Sequence, residues 1–477
     1  MELTVCIIVF LILLFLIGLF VSKRIKNDQD WFVAGRNLGV VPLVGTYFAT
    51  IISTVSVIGY FGYYYSYGWA GWWNWAGTAL TSMIAALWFA EKLRKFGQTT
   101  LPDLLAARYG KAHSIIAGVV ILVAMLFFTS AQLTGSAAVV TTSMGIDRTT
   151  AIIVIGIIFI LFTVMGGMEA VAWTDTFCSA IILIGVWLLS YNAVNEAGGV
   201  VKIHKTLAQI KPSALDPFAN GAIPLGVAMS WFLTWGIGNI GAPQFSTRIY
   251  SAKDPKTAAL SQAWTGVTFI FFYLPLMLAA LASIVLFPGL TGVADTYAPT
   301  IIQKVMGPWG GGIMMAGILA ASISTADSVL LLAGTTFVRD IVQRCSSRQF
   351  MPQQTLKMAR ITTFIIGILA IFFTIHTNQG VMWVQANAVG YMGSMLSVVV
   401  LAAFAWKRAN AQGALAAMIV GILTAAIWGY LNRPFGWFPI LPSLFTCTLT
   451  LVIVSKLTPP PSQKLLISFS KSSCLIL

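Results

Sequence analysis

The stretch Ala49-Thr50-Ile51-Ile52-Ser53-Thr54-Val55-Ser56-Val57-Ile58-Gly59-Tyr60-Phe61-Gly62 is the key to this chain. It lies within an apolar run over 41–65 that opens with Pro42 and also carries Gly45 and Thr46. A helix that only anchors has no use for three glycines and a row of hydroxyls. A second run, 222–243, repeats the feature with Gly226, Gly236, Gly238, Gly241 and then Pro243. Each run begins a set of five candidate helices, over 41–192 and 222–406. Because five is odd, the two sets cross in opposite senses. Paired Gly-interrupted segments at corresponding positions of inverted halves point to a transporter binding site. Unwound backbone at membrane depth is tolerated where it lines a cavity. The competing reading is that the glycines only allow close helix packing.

Composition frames the reading. The chain has 477 residues, 58% apolar and 9% charged, with a mean hydropathy of +0.86. Soluble domains carry about 25% charged residues, so an ordinary soluble protein is excluded, as is a disordered chain. Thirteen candidate spans follow, near 4–22, 41–65, 70–91, 114–144, 150–165, 173–192, 222–243, 263–287, 310–338, 361–376, 381–406, 413–431 and 439–455. The fold class is all-α and polytopic: one transmembrane domain over 1–456 and a short cytoplasmic tail over 457–477. The net charge of +14 belongs to topology rather than to nucleic acid. When loops alternate from an outside N-terminus, 22 of the 28 basic residues fall inside, as the positive-inside rule requires. The C-terminus is then cytoplasmic, and the protein is expected in a plasma or inner membrane. Five scattered cysteines have no metal-ligand or disulfide spacing. His113, His204 and His376 read as solvated or interfacial.

Polar groups at depth narrow the function. Asp327 lies inside the run 310–338, and an intramembrane carboxylate is a functional candidate by default. Ala321, Ser324, Thr325 and Ser328 follow helical spacing and share a face. Their hydroxyls, with nearby carbonyls, are hard neutral donors suited to a small cation; alternatively they return to their own helix. Asp175, at the cytoplasmic start of a candidate helix, is open to reading as a helix cap. Trp235, in Trp235-Gly236-Ile237-Gly238-Asn239, is either a wall for a small ligand or core.

Five segments in order resemble the sodium:solute symporter family, over about residues 30–456. They are Asp30-Trp31-Phe32 through Arg36, Ala49 through Gly68, Gly166-Gly167 through Asp175, Trp235 through Pro243 and Arg248, and Ala320-Ala321 through Ser324-Thr325. The resemblance implies a five-plus-five, LeuT-like inverted repeat working by alternating access, without an organic cofactor. It implies one sodium ion held by the carbonyls of Ala49, Ile52 and Ala321 and the hydroxyls of Ser324 and Thr325. Ser53, Ser56, Trp235, Asn239 and Pro243 are the candidate substrate residues, and Asp175 and Asp327 the candidate coupling or gating acids. The expected partners are a small organic solute (an amino acid, carboxylate, vitamin or quaternary amine), sodium and the bilayer. Sugar-carrying members place Gln where this chain has Ser56, and proline carriers place Asp where it has Ile51; the Ser324–Ser328 run is similar to choline-type members. A proton-coupled carrier using Asp327, a transporter-like sensor and a polytopic enzyme are the rival readings. The scarcity of His and the single deep acid argue against the enzyme.

Overall fold

The computed structural model describes residues 33–165, 168–290, 294–346, 350–377 and 379–463, with scattered positions at either end. Most of the candidate span 4–22, the cations Lys23, Arg24 and Lys26, the segment Asp30-Trp31-Phe32, Gly166-Gly167, Arg348, Lys464 and Lys471 lie outside the described residues.

The described residues fold into helices joined by short turns. The first broken span comprises α1 (Val40–Ile51), a wide turn over Val55–Gly59, and α2 (Tyr60–Tyr67). Then come α3 (Trp72–Ile84), α4 (Leu101–Tyr109), α5 (Lys111–Met144), α6 (Arg148–Met165) and α7 (Met168–Glu196). The second broken span comprises α8 (Leu225–Trp235) and α9 (Pro243–Ser251). It is followed by α10 (Pro255–Leu286), α11 (Tyr297–Thr336), α12 (Pro352–His376), α13 (Val381–Ala405), α14 (Ala411–Tyr430) and α15 (Ile440–Leu457). Every expected span from 41 onward has its helix. Among the described residues, eight helical segments are long and apolar enough to cross a membrane, or nine with the bent pair at 40–96 counted as one. The chain is an integral membrane protein.

Local chemistry sets several ends. Thr100 and Asp103 form a reciprocal capping box at α4, which satisfies two otherwise orphaned N–H groups. Asp254 caps α10 by accepting from the Thr257 N–H at 2.8 Å. Inside α1 and α8 no such signal explains the breaks. Ile52 turns extended at φ −87°, ψ 102°, and Gly236 leaves the helical region at φ −85°, ψ −102°. The chain bends by 56° at the first break.

The helix α11 is the axis of the bundle. Its apolar length is wholly buried, whereas α14 and α15 bury only 33% and 28% of theirs and lie at the periphery. It packs between α5 and α7, and α7 in turn carries α1. That last contact is close. An ideal Cβ on Gly45 would lie 2.3 Å from Thr176 Oγ1 and 2.6 Å from Thr176 Cα. Only a residue without a side chain fits there. Outward faces are apolar, as at Val123, Phe364 and Phe445, which suits lipid rather than water.

Candidate functional site

The first break frees backbone carbonyls. Ile52 N–H donates to Phe48 O at 2.7 Å, and ladder bonding resumes only where the Ser56 and Val57 N–H groups reach Ser53 O at 3.0 and 3.1 Å. Carbonyls stranded at a helix end need other partners. Ser56 Oγ donates to Ile51 O at 2.8 Å. Thr325 Oγ1 crosses from α11 to Ala49 O, also at 2.8 Å. Ser324 Oγ turns back to Ala321 O at 3.1 Å. The structure therefore pairs Ala49 with Thr325 and Ala321 with Ser324. Ile52 sits at the break itself, fully buried. These are uncharged oxygens, and a hydroxyl can rotate its proton away and offer a lone pair. The same atoms that satisfy one another here can face a monovalent cation.

Next to them lies a charged cluster. Asp175 was open to reading as a helix cap; it sits instead inside α7 and is completely buried. Its Oδ2 accepts from Thr46 Oγ1 at 2.5 Å and stands 3.7 Å from Arg248 Nη2. Arg248, one of the cations that alternation of the spans assigns to an inside loop, is 1% exposed. Its Nη2 donates to Ser328 Oγ at 2.6 Å, its Nη1 to Gln244 O at 2.9 Å and its Nε to Thr46 Oγ1 at 3.3 Å. One guanidinium thus ties α9 to α1, α7 and α11. Asp175 Oδ1 has no hydrogen-bond partner. Asp327 points to a different neighbour, accepting from Thr163 Oγ1 of α6 at 2.7 Å.

The candidate substrate residues divide. Ser53 is buried, and its hydroxyl has no partner. Trp235 packs edge-on to Tyr60 with ring centroids 5.8 Å apart, and its indole N–H is also unpartnered. Tyr60 in turn lies 5.5 Å from Tyr273. Asn239 and Pro243 lie past the second break. Asn239 Nδ2 donates to Trp235 O at 2.5 Å, and the side chain borders a small cavity of about 30 Å³ beside Tyr47 and Gln262. Pro243 opens α9, and its carbonyl accepts from Ser246 Oγ and Thr247 Oγ1, each at 2.9 Å.

Two residues escaped the sequence reading. Thr54 Oγ1 donates to Gln132 Oε1 at 2.9 Å, and Gln132 Nε2 to Gln385 Oε1 at 3.3 Å. This buried amide pair joins the first break to α5 and α13. The signal was available, because both glutamines interrupt apolar spans and polar side chains at such depth are functional candidates.

The comparisons agree with this architecture. A sodium/pantothenate symporter of Escherichia coli (strain K12) is 29% identical over 472 residues, spanning 95% of this chain and 96% of that protein. A sodium/proline symporter of Staphylococcus aureus (strain JH9) is 27% identical over 492 residues, spanning 96% and 93%. A sodium-coupled sialic acid symporter, solved substrate-bound and outward-open, superposes with a TM-score of 0.83 at 21% identity, over 97% of this chain and 99% of that one. The fold is that of the LeuT-like transporters. The model of the sodium:solute symporter family matches residues 31–421, and the chain belongs to that family: it is a sodium-coupled secondary transporter of a small solute and not an enzyme.

Proposed function

We propose that this transporter imports a small organic solute bearing a carboxylate or comparable acceptor group, driven by one sodium ion seated at the first helix break. The observation that carries the reading is the 2.8 Å bond from Thr325 Oγ1 to Ala49 O. It brings the hydroxyl face of α11 onto the carbonyls released between Ala49 and Ile52. The ligand set is Ala49, Ile52, Ala321, Ser324 and Thr325. Solute binds next to it, between Ser53 and Ser56 of the first break and Trp235 of the second, within reach of Gln132. Unpartnered donors in this region, Ser53 Oγ–H and the Trp235 indole N–H, call for an acceptor on the solute. The relatives that carry pantothenate and proline agree with a carboxylated solute. The repeats run over about 41–192 and 222–406, each opening with its broken span. With the N-terminus outside and the C-terminus cytoplasmic, α1 and α9 form the cytoplasmic halves of those spans.

Energetics permit concentration from one ion. About 100 mV supplies roughly 2.3 kcal/mol per charge, and an about tenfold sodium gradient adds about 1.4 kcal/mol. Together they drive roughly 500-fold accumulation of a neutral solute. Sodium can shift the inward–outward equilibrium only through its different affinity for the two states. The break supplies that difference, since its carbonyls move relative to α11 when the spans tilt.

The test is intrinsic tryptophan fluorescence of the purified protein, titrated with sodium against potassium at constant ionic strength. A saturable change in sodium alone, reduced in Trp235→Phe, is expected. Identical responses to both ions would remove the sodium site and favour proton coupling through Asp327.

A further inference from the structure

Away from the transport pathway, at the basic end of the bundle, α4, the start of α5, the start of α14 and the Pro459–Pro461 stretch border an open cavity of about 390 Å³. Arg108, Gly110, Asn410, Ala411 and Gln412 line it. Arg108 is only 1% exposed. Its Nη2 donates to Ala409 O at 2.9 Å and Lys407 O at 3.3 Å, which fixes the guanidinium plane. Its Nε and Nη1 are buried without a partner. Among the described residues no carboxylate lies within ion-pair distance of it. The rings of Tyr109 and Phe469, 5.2 and 5.6 Å from Cζ, attract the charge but accept no N–H bond in its plane. Burial lowers the Arg108 pKa from its usual range, and the Tyr109 neighbour opposes this only in part.

A buried guanidinium short of acceptors is costly in isolation. The surroundings deepen the puzzle. Two helices begin at the cavity, α5 after Gly110 and α14 after Asn410, and neither has an acidic residue in its first turn. The helix α5 opens with Lys111 and has no capping side chain, the wrong sign for a helix N-terminus. The Asn410 carbonyl oxygen Oδ1 is spent on the Gly413 N–H at 2.8 Å, leaving the Ala411 and Gln412 N–H groups without a ladder acceptor. The last turn of α4 and the Lys407 and Ala409 carbonyls supply neutral acceptors, but among the described residues no anion meets the Arg108 charge.

We propose that this cavity is an anion site that takes a phosphate group between the Arg108 guanidinium and the N-termini of α5 and α14. The unpartnered Arg108 Nε–H and Nη1–H groups can each donate a charge-assisted hydrogen bond to a phosphate oxygen, and helix N-termini bind phosphate through free N–H groups. The position at the basic end of a membrane bundle fits the phosphodiester of an anionic lipid, and free phosphate offers the same oxygens.

The full chain decides between these sources. It is reconstituted in nanodiscs of phosphatidylcholine alone or with phosphatidylglycerol, and bound lipid is read by native mass spectrometry. In parallel, detergent-solubilised protein stripped of lipid is titrated with inorganic phosphate against chloride, following thermal unfolding. Gln412→Glu is the decisive variant, because residue 412 is exposed and the new carboxylate occupies the site from within. It is expected to raise the unfolding temperature in anion-free buffer and to weaken anion binding at least about tenfold. Arg108→Gln is expected to abolish binding; should it fail to fold, Gln412→Glu still decides. Retention of phosphatidylglycerol without a phosphate response assigns a lipid headgroup. A saturable phosphate response in the wild type assigns a soluble anion. Neither response, or the same response in Gln412→Glu, overturns the site.

Discussion

Arg248 Nη2 stands 3.7 Å from Asp175 Oδ2, with the two side chains 2% and 1% exposed. Their shared neighbour Thr46 donates to the carboxylate. The pair therefore links α9 and α1, the same-side halves of the two broken spans, to α7. Alternating access requires those halves to part from their support when that side opens. Separation leaves two buried charges, and water entering the opening is what makes their hydration possible. The pair thus favours the closed arrangement of that side and stops short of locking it.

Removing one partner tests this. Arg248→Gln leaves the Asp175 carboxylate uncompensated, and the loss expected for breaking a buried pair is about 3–5 kcal/mol. Replacing both, Asp175→Asn with Arg248→Gln, should restore much of the unfolding free energy without restoring transport. Thermal unfolding and uptake, measured on the singles and the double, check both parts. Equal stability of single and double variants would mean the charges do not interact.

The proposed sodium site makes a second prediction. Thr325→Ala deletes the hydroxyl that crosses to Ala49, and Ser324→Ala the one that returns to Ala321. Each should weaken the sodium-dependent fluorescence response at least about tenfold, which corresponds to about 1.4 kcal/mol. Thr325→Ser keeps the hydroxyl and should stay near wild type. An unchanged sodium midpoint in Thr325→Ala would move the ion elsewhere.

The sequence made much of this legible, and the reasons differ by residue. The breaks near Ile52 and Gly236 could be read because glycine and hydroxyl clusters contradict a plain anchor. The spans could be read because hydropathy is set by the bilayer itself. Arg248 falls in an inside loop when the spans are alternated from sequence. Its position next to a break looks like a loop edge, and only the fold brings Asp175 to it from 73 positions away. His113, read as solvated or interfacial, is 4% exposed against α14 for the same reason. Gln132 and Gln385 interrupt apolar spans without a charge to mark them, and their pairing spans 253 positions.

That amide pair yields a third prediction. Gln132→Ala and Gln385→Ala remove a buried hydrogen bond beside the first break but touch none of the proposed sodium ligands. Loss of one such bond is worth about 1 kcal/mol, so the solute KM should rise about fivefold. The sodium midpoint without solute should stay within about twofold, as for sites that do not share partners. Uptake kinetics against fluorescence titration separates the two effects. A shift in sodium midpoint equal to that in KM would place the glutamines in the ion site.

Two glycines provide a matched contrast in packing. At Gly45 a methyl group would meet Thr176 at 2.3 Å from Oγ1 and 2.6 Å from Cα. Because a backbone atom is among the obstacles, rotation of Thr176 cannot clear the space, and α1 must move off α7. That movement also pulls at the neighbouring Thr46–Asp175 bond. Gly45→Ala should therefore cost about 1–3 kcal/mol, the range for overpacking, and depress transport along with stability. Truncating Thr176 to Ala in the same chain should rescue only partly. Gly390 lies in the interior of α13 with nothing within 4 Å of an added Cβ. There the methyl fills open space and improves helix propensity, so Gly390→Ala should stabilise by up to about 1 kcal/mol. Unfolding temperatures of the two variants should move in opposite directions. If both fall, the space at Gly390 is needed for motion or solute, and if both rise, α1 does not approach α7 as closely as Gly45 requires.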